Sequence, residues 1–174
     1  FNMYRLPKIK AFECYEQGVV SFEDYERTGW YFSDKINRQV DFNLHDKGVY
    51  SDKGGIKKFL DTLSYPLYFL DFETMQPILP PFEGTSPYQQ IPFQYSLHYI
   101  EKEGGELKHK EFLAVSGENP LRAIAESLVK DIPTDVCTLA YNKAFECSRI
   151  KELADTFPDL KAHLLNIRGN IKDL

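Results

Sequence analysis

A chain of 174 residues that is 43% hydrophobic and 14% aromatic has the material for one packed domain, or one domain with a small appendage. Its formal net charge of −5 excludes a globally basic nucleic-acid binder, so any such binding must come from local cations or bridging metal ions. Cys14, Cys137 and Cys147 form no CxxC pair, which points to free thiols in a reducing, cytoplasmic setting, and no apolar run approaches membrane-spanning length.

Residues 1–64 read as a helical, charged lead-in. Ile9 to Gln17 and Phe22 to Arg27 carry short helical patterns, stopped by Gly18 and Gly29. Phe32 to Gly48 is ambiguous. Asp52 is placed to cap a helix whose Ile56, Phe59, Leu60 and Leu63 share one face. From Tyr65 the pattern changes to an apolar strand ending near Glu73. A loop from Met75 to Pro92 holds five of the ten prolines. Phe93, Tyr95, Leu97 and Tyr99 then alternate with Gln94, Ser96 and His98, as in a half-buried strand, so His98 is read as structural. Gly104-Gly105 predicts a turn, Leu107 to Val115 a third strand, Pro120 to Ile132 an amphipathic helix and Val136 to Tyr141 a buried strand. Asn142 is placed to cap a helix from Lys143 to Thr156, and Leu160 to Ile167 closes the series as a last helix. The order β-β-β-α-β-α predicts an α/β (α+β) domain over residues 65–174, a mixed sheet with flanking helices.

The chemistry concentrates at the end of the first strand. Asp71 and Glu73 follow the run Tyr65 to Leu70, and alternation puts both carboxylates on one side. Like charges at the mouth of a buried strand repel each other and resist desolvation. A divalent cation relieves both costs, and hard oxygen ligands suit Mg²⁺ or Mn²⁺. Asp24/Glu26 and Glu101/Glu103 have the same spacing but sit among polar residues and read as solvated surface. Glu146 falls in the first turn of the helix after the fourth strand. The helix dipole alone favours a Glu there. If the fourth strand pairs beside the first, Glu146 also faces Asp71 and Glu73.

Leu70-Asp71-Phe72-Glu73-Thr74 resembles the first motif of the DEDD 3′–5′ exonucleases of the ribonuclease H-like superfamily, and Tyr141-Asn142-Lys143-Ala144-Phe145-Glu146 is similar to their second, usually His-Asn-x-x-Phe-Asp. Pro87 to His98 resembles an uncharacterised bacterial domain family placed in that superfamily. The resemblance implies a ribonuclease H-like fold and metal-dependent phosphodiester cleavage. In it Asp71, Glu73 and Glu146 hold Mg²⁺ or Mn²⁺, and Thr74, Phe82, Tyr88, Asn142 and Lys143 line the substrate path. Single-stranded DNA or RNA is the implied partner. Glu146 stands where the superfamily has Asp, and Tyr141 where it has His. The third motif, His or Tyr followed four or five residues later by Asp, is not found after Glu146, and Lys172-Asp173-Leu174 resembles the strand that precedes that motif in the family. The expectation is therefore a chain that stops before its last ligand and acts weakly or not at all, unless Asp155, Asp159 or Asp173 serves instead. The alternative is a ribonuclease H-like domain used for nucleic-acid binding or scaffolding. Lys108, His109 and Lys110 read as a solvated strand edge.

Overall fold

Side chains of Ser21, Ser33 and Asp52 start three helices of the first part of the chain. The computed structural model describes residues 3–174. Contacts divide the chain into two units, one up to Lys58 and one from Phe59. In the first, α1 (Lys8–Glu16) precedes α2 (Phe22–Thr28), which opens on a capping box between Ser21 and Asp24 and ends at Gly29, in the left-handed region at φ 68°. α3 (Asp34–Leu44) lies in the segment the sequence leaves unassigned. Ser33 caps it by accepting a hydrogen bond from the Ile36 amide at 3.2 Å. Ile36 and Val40 are the residues it buries, so its apolar stripe is narrow. They join Met3, Cys14, Val19 and Tyr25 in a small core. Asp52 accepts from the Gly55 amide at 2.9 Å and starts α4 (Lys53–Leu60), as its position predicts.

The second unit is built on a five-stranded mixed sheet. Its elements are β1 (Leu67–Met75), β2 (Ile91–Ile100), β3 (Leu107–Leu113), α5 (Leu121–Asp131), β4 (Cys137–Ala140), α6 (Lys143–Thr156), α7 (Lys161–Gly169) and β5 (Ile171–Asp173). The strands lie in the order β3-β2-β1-β4-β5. Pairing is antiparallel on the β2–β3 side of β1 and parallel on the β4–β5 side. β1 is central and has an apolar residue on both faces over its first half. Tyr68, Leu70 and Phe72 pack with Tyr95 and Leu97 against the helical residues Ile124, Leu128, Ile150, Leu153 and Leu164. Leu67 and Phe69 alternate to the other side, where Cys137, Leu139, Phe59 and Leu63 cluster. This two-sided burial is why the run Leu67 to Leu70 has no polar member. Each fully buried Leu or Ile contributes about 1.5–3 kcal/mol.

Two features that the local sequence pattern does not give bear on the site, the first of them legible only through the resemblance of Lys172 to Leu174 to a family strand. A fifth strand, β5, follows the last expected helix and pairs with β4 through Thr138–Ile171, Leu139–Lys172 and Ala140–Asp173. Three residues are too few to show strand periodicity. Asn142 does not cap α6. Its backbone is left-handed (φ 73°, ψ 56°) and its side chain makes no capping bond. The Lys143 amide instead donates to Asp173 Oδ1 at 2.8 Å, so a residue from β5 supplies the cap.

Candidate active site at the carboxylate end of the sheet

Unequal strand lengths create the site. β4 pairs with β1 only through Leu67–Cys137, Tyr68–Thr138 and Phe69–Leu139, while β1 runs on to Met75. Asp71 therefore stands beyond the last β4 pairing, where the chain turns from β4 into α6. Asp71 and Glu73 are both exposed and alternate to the side opposite Tyr68, Leu70 and Phe72. Their neighbours on β2 are Ser96 and Gln94. A register shift between Glu73 and Thr74 breaks the β1–β2 ladder just after the acidic pair and leaves Thr74 half-buried.

Glu146 is the most unusual side chain of this region. It is 2% exposed, and its Oε2 has no hydrogen-bond partner. Burial raises its proton affinity above the ordinary carboxylate range. Asp71 and Asp173 raise it further, while a backbone hydrogen bond partly opposes them. Both side-chain charges acting on it are thus negative. Asp173 has a second part in this arrangement through its bond to the Lys143 amide, which fixes the start of the helix that carries Glu146. Glu73 is not among the groups that shift Glu146. Among the described residues, no three His, Cys, Asp or Glu side chains stand close enough together to hold a metal ion as they are.

One turn after Glu146, Arg149 is 8% exposed. Its guanidinium donates to Gln90 Oε1 and, at 2.7 Å, to Glu152 Oε1, and it lies 5.4 Å from the Phe145 ring centroid. Its Nε has no partner. Arg149 thereby ties α6 to the loop entering β2. Sequence reasoning missed it. The available signal was its position three residues after Glu146, on the same side of the helix.

The remaining candidates are scattered around this end. Lys143 is half-buried at the first position of α6, and Asn142 is exposed. Phe82 lines a cavity of about 480 Å³ with Met75, Pro81, Phe93, Val115 and Pro120. Tyr88 is 61% exposed and left-handed at φ 59°. The loop that carries both aromatics is pinched at its base. Gln76 Nε2 donates to the Tyr88 carbonyl at 2.7 Å, and the Tyr88 amide donates to the Pro77 carbonyl at 2.9 Å. Asp155 is paired with Lys151 and Lys161, and Asp159 with Arg122, which ties both to cations. His98 does not follow the tyrosines of β2 into the core. It is exposed, and its ring lies tilted against that of His109 of β3 at a centroid distance of 4.4 Å. It pairs with Phe69, so it stands on the sheet face that carries Asp71.

Residues 68–174, from β1 to the end of β5, match a family described as a domain of unknown function (DUF2779), and the chain belongs to that family. No curated protein and no solved structure matches it.

Proposed function

We propose that the second unit is a divalent-metal-dependent nuclease domain of ribonuclease H-like type, a 3′–5′ exonuclease acting on single-stranded DNA or RNA. The observation that carries this reading is the buried Glu146 carboxylate, with one oxygen unpartnered and two further carboxylates as its charged neighbours. A buried carboxylate without a partner is costly, and like charges add to the cost. Such a group is kept where a cation completes it. The donors of Asp71, Glu73 and Glu146 are all hard oxygens, the type Mg²⁺ or Mn²⁺ takes, and the free Oε2 of Glu146 offers a ligand atom with no competing bond. An ion would have to draw the three side chains together, since they do not stand close enough as they are. When bound, such an ion supplies charge stabilisation to the phosphoryl group and lowers the pKa of attacking water.

The chain's own residues do the positioning. Asp173 holds the first turn of α6, and with it Glu146, against the end of β4. Arg149 anchors the loop before β2 to the same helix. Lys143 stands where a backbone phosphate would pass the start of α6. Phe82 and Tyr88 offer faces for bases on the loop after β1, each stack being worth about 1–3 kcal/mol. The strand order β3-β2-β1-β4-β5, with one antiparallel and one parallel side, supports the ribonuclease H-like assignment. A binding-only role is favoured by one observation, the lack of a three-ligand group among the described residues.

The test is hydrolysis of 5′-labelled single-stranded DNA and RNA with Mn²⁺, read on a sequencing gel. Stepwise shortening from the 3′ end that is lost with EDTA and in Asp71→Asn is the expected result. Binding of either strand with no metal-dependent product would establish the binding-only role.

A further inference from the structure

The first unit contains a groove whose chemistry is opposite to that of the carboxylate end. It has a volume of about 820 Å³ and is lined by Lys35, Arg38, Gln39, Phe42 and Asn43 of α3, with Tyr4, Phe22, Asp46, Gly48 and Tyr50. The α3 residues recur at helical spacing and form one stripe, while Ile36 and Val40 of the same helix turn into the core. Aromatic rings and cations interleave along the walls. The Arg38 guanidinium lies 3.8 Å from the Tyr50 ring centroid. Lys35 Nζ lies 5.3 Å from the Tyr4 centroid, with Arg5 beside the same ring at 5.4 Å. Phe42 meets Tyr50 edge-to-face at 5.9 Å.

Only some of the cations of this unit are ion-paired among the described residues. Lys10, Arg27 and Lys47 are matched to Glu13, Asp24 and Asp41. Among the described residues, Lys35 and Arg38 make no ion pair, and Asp46 is the one carboxylate of the groove lining. A guanidinium stacked on a tyrosine has its plane fixed while its N–H edge stays free to donate. That combination suits a phosphate held beside a flat apolar face.

We propose that this groove binds nucleotide units of a single-stranded nucleic acid, with Lys35 and Arg38 on the phosphates and Tyr4 and Tyr50 against the bases. The recognition is independent of any metal and of the nuclease reading. Alternating cations and rings are what sequence-tolerant single-strand binding requires. A −5 chain must gather its cations locally to do this.

The test is fluorescence anisotropy of the full chain with a labelled 12-mer of oligo-dT or oligo-U in EDTA, across a salt series. Lys35→Gln/Arg38→Gln should weaken binding at least tenfold and flatten the slope of log affinity against log salt by about 1.4, since each phosphate contact on a single strand contributes about 0.7. Tyr50→Leu should weaken binding about 5- to 150-fold and leave most of the salt slope intact. Lys10→Gln, a paired cation of the same unit, should change neither. Circular dichroism and melting confirm that each variant is folded, and Arg38→Lys, which keeps the charge and loses the flat stack, provides a milder second variant. Displacement of the labelled strand by a mononucleotide identifies a one-nucleotide site, and displacement only by longer strands identifies an extended one. The proposal is overturned if the wild-type chain does not bind, if the groove variants bind like wild type, or if poly-glutamate displaces the strand as well as a nucleic acid does. Binding is read without metal, so its failure leaves the carboxylate site of the second unit untouched.

Discussion

Asp131 and Glu146 are both acidic side chains at helix–sheet junctions of the same unit, and their surroundings are opposite. Asp131 closes a polar cluster. Its Oδ2 accepts from the Tyr95 hydroxyl at 2.7 Å and its Oδ1 from Lys110 Nζ at 3.0 Å, while Ser127 Oγ lies 2.6 Å from the same hydroxyl. Burial holds the Tyr95 hydroxyl well above its usual pKa, the Ser127 hydrogen bond opposes this, and the hydrogen bond to Asp131 and then its charge add to it, so the hydroxyl is kept as a donor to Asp131. Glu146 has an unpartnered oxygen and carboxylates for charged neighbours. Leaving a buried polar atom open costs stability, and Thr138 Oγ1 and Arg149 Nε share that cost, but among the described residues with such an atom Glu146 is the one that carries a carboxylate. The contrast sets the Asp131 cluster apart as scaffold, and the open oxygen at Glu146 is what the proposed cation would complete.

The largest expected effect separates the two regions by activity. Removing one electrostatic contributor at a reaction centre costs about 10²–10³ in rate. Asp71→Asn should lower Mn²⁺-dependent hydrolysis by at least that, while Tyr95→Phe leaves the rate per folded molecule within a factor of two or three. Initial rates normalised to folded protein check this. Equal losses in both variants would erase the distinction.

Stability should then move the other way. Tyr95→Phe leaves Asp131 and Ser127 without their hydroxyl partner, which costs about 1–2 kcal/mol and lowers the melting temperature by about 3–6 °C. Urea unfolding monitored by circular dichroism measures it.

Glu146→Gln should instead stabilise the metal-free chain by about 1 kcal/mol at pH 8. The sign follows from linkage. Glu146 binds its proton more tightly folded than unfolded. Wild type therefore loses stability as pH rises from the ordinary carboxylate value through the raised one, and the neutral amide does not. The gain should vanish near pH 4, where wild type is protonated too. Saturating Mn²⁺ should reverse the order of the two chains, since at a hundred times the dissociation constant it adds about 2.7 kcal/mol to a chain that binds it.

These regions were unequally legible in the sequence. The Leu67 to Leu70 run followed by Asp71 and Glu73 reads correctly as a buried strand ending in acids, because burial on both faces leaves a continuous apolar signal. Glu146 stands out in the sequence by its place after β4, but its burial is not legible there, since the helix dipole alone favours a first-turn Glu. α3 is ambiguous in the sequence because its core stripe is narrow, and β5 is legible only through the resemblance of Lys172 to Leu174 to a family strand, because three residues show no period. The Asp131 cluster was invisible, as Tyr95, Lys110 and Asp131 come from three elements and no local pattern joins them. Asn142 misled for the same reason in reverse. It is a sound local cap, and a partner 30 positions away from Lys143 replaces it.

That tertiary cap gives the smallest and most discriminating effect. Asp173 touches both sides of the comparison, because it satisfies the Lys143 amide as a scaffold residue would and also adds negative charge near Glu146. Asp173→Ala removes both contributions. Loss of a capping acceptor costs about 0.5–2 kcal/mol, and relief of the repulsion on Glu146 offsets part of it, so the net loss should be about 1 kcal/mol or less. Asp173→Asn keeps an oxygen at the Lys143 amide and removes only the charge. Its stability should stay within a few tenths of a kcal/mol of wild type. Its Glu146 should titrate lower, because one of the two carboxylates that raise its proton affinity is gone. Urea midpoints of both variants, with the Glu146 carboxyl followed by ¹³C chemical shift against pH, read the two roles separately. If Asn costs as much as Ala, the charge matters to α6 itself and Asp173 is more than an acceptor for its first amide. If neither variant moves the Glu146 titration, the two carboxylates are not coupled, and Asp173 belongs with Asp131 on the scaffold side.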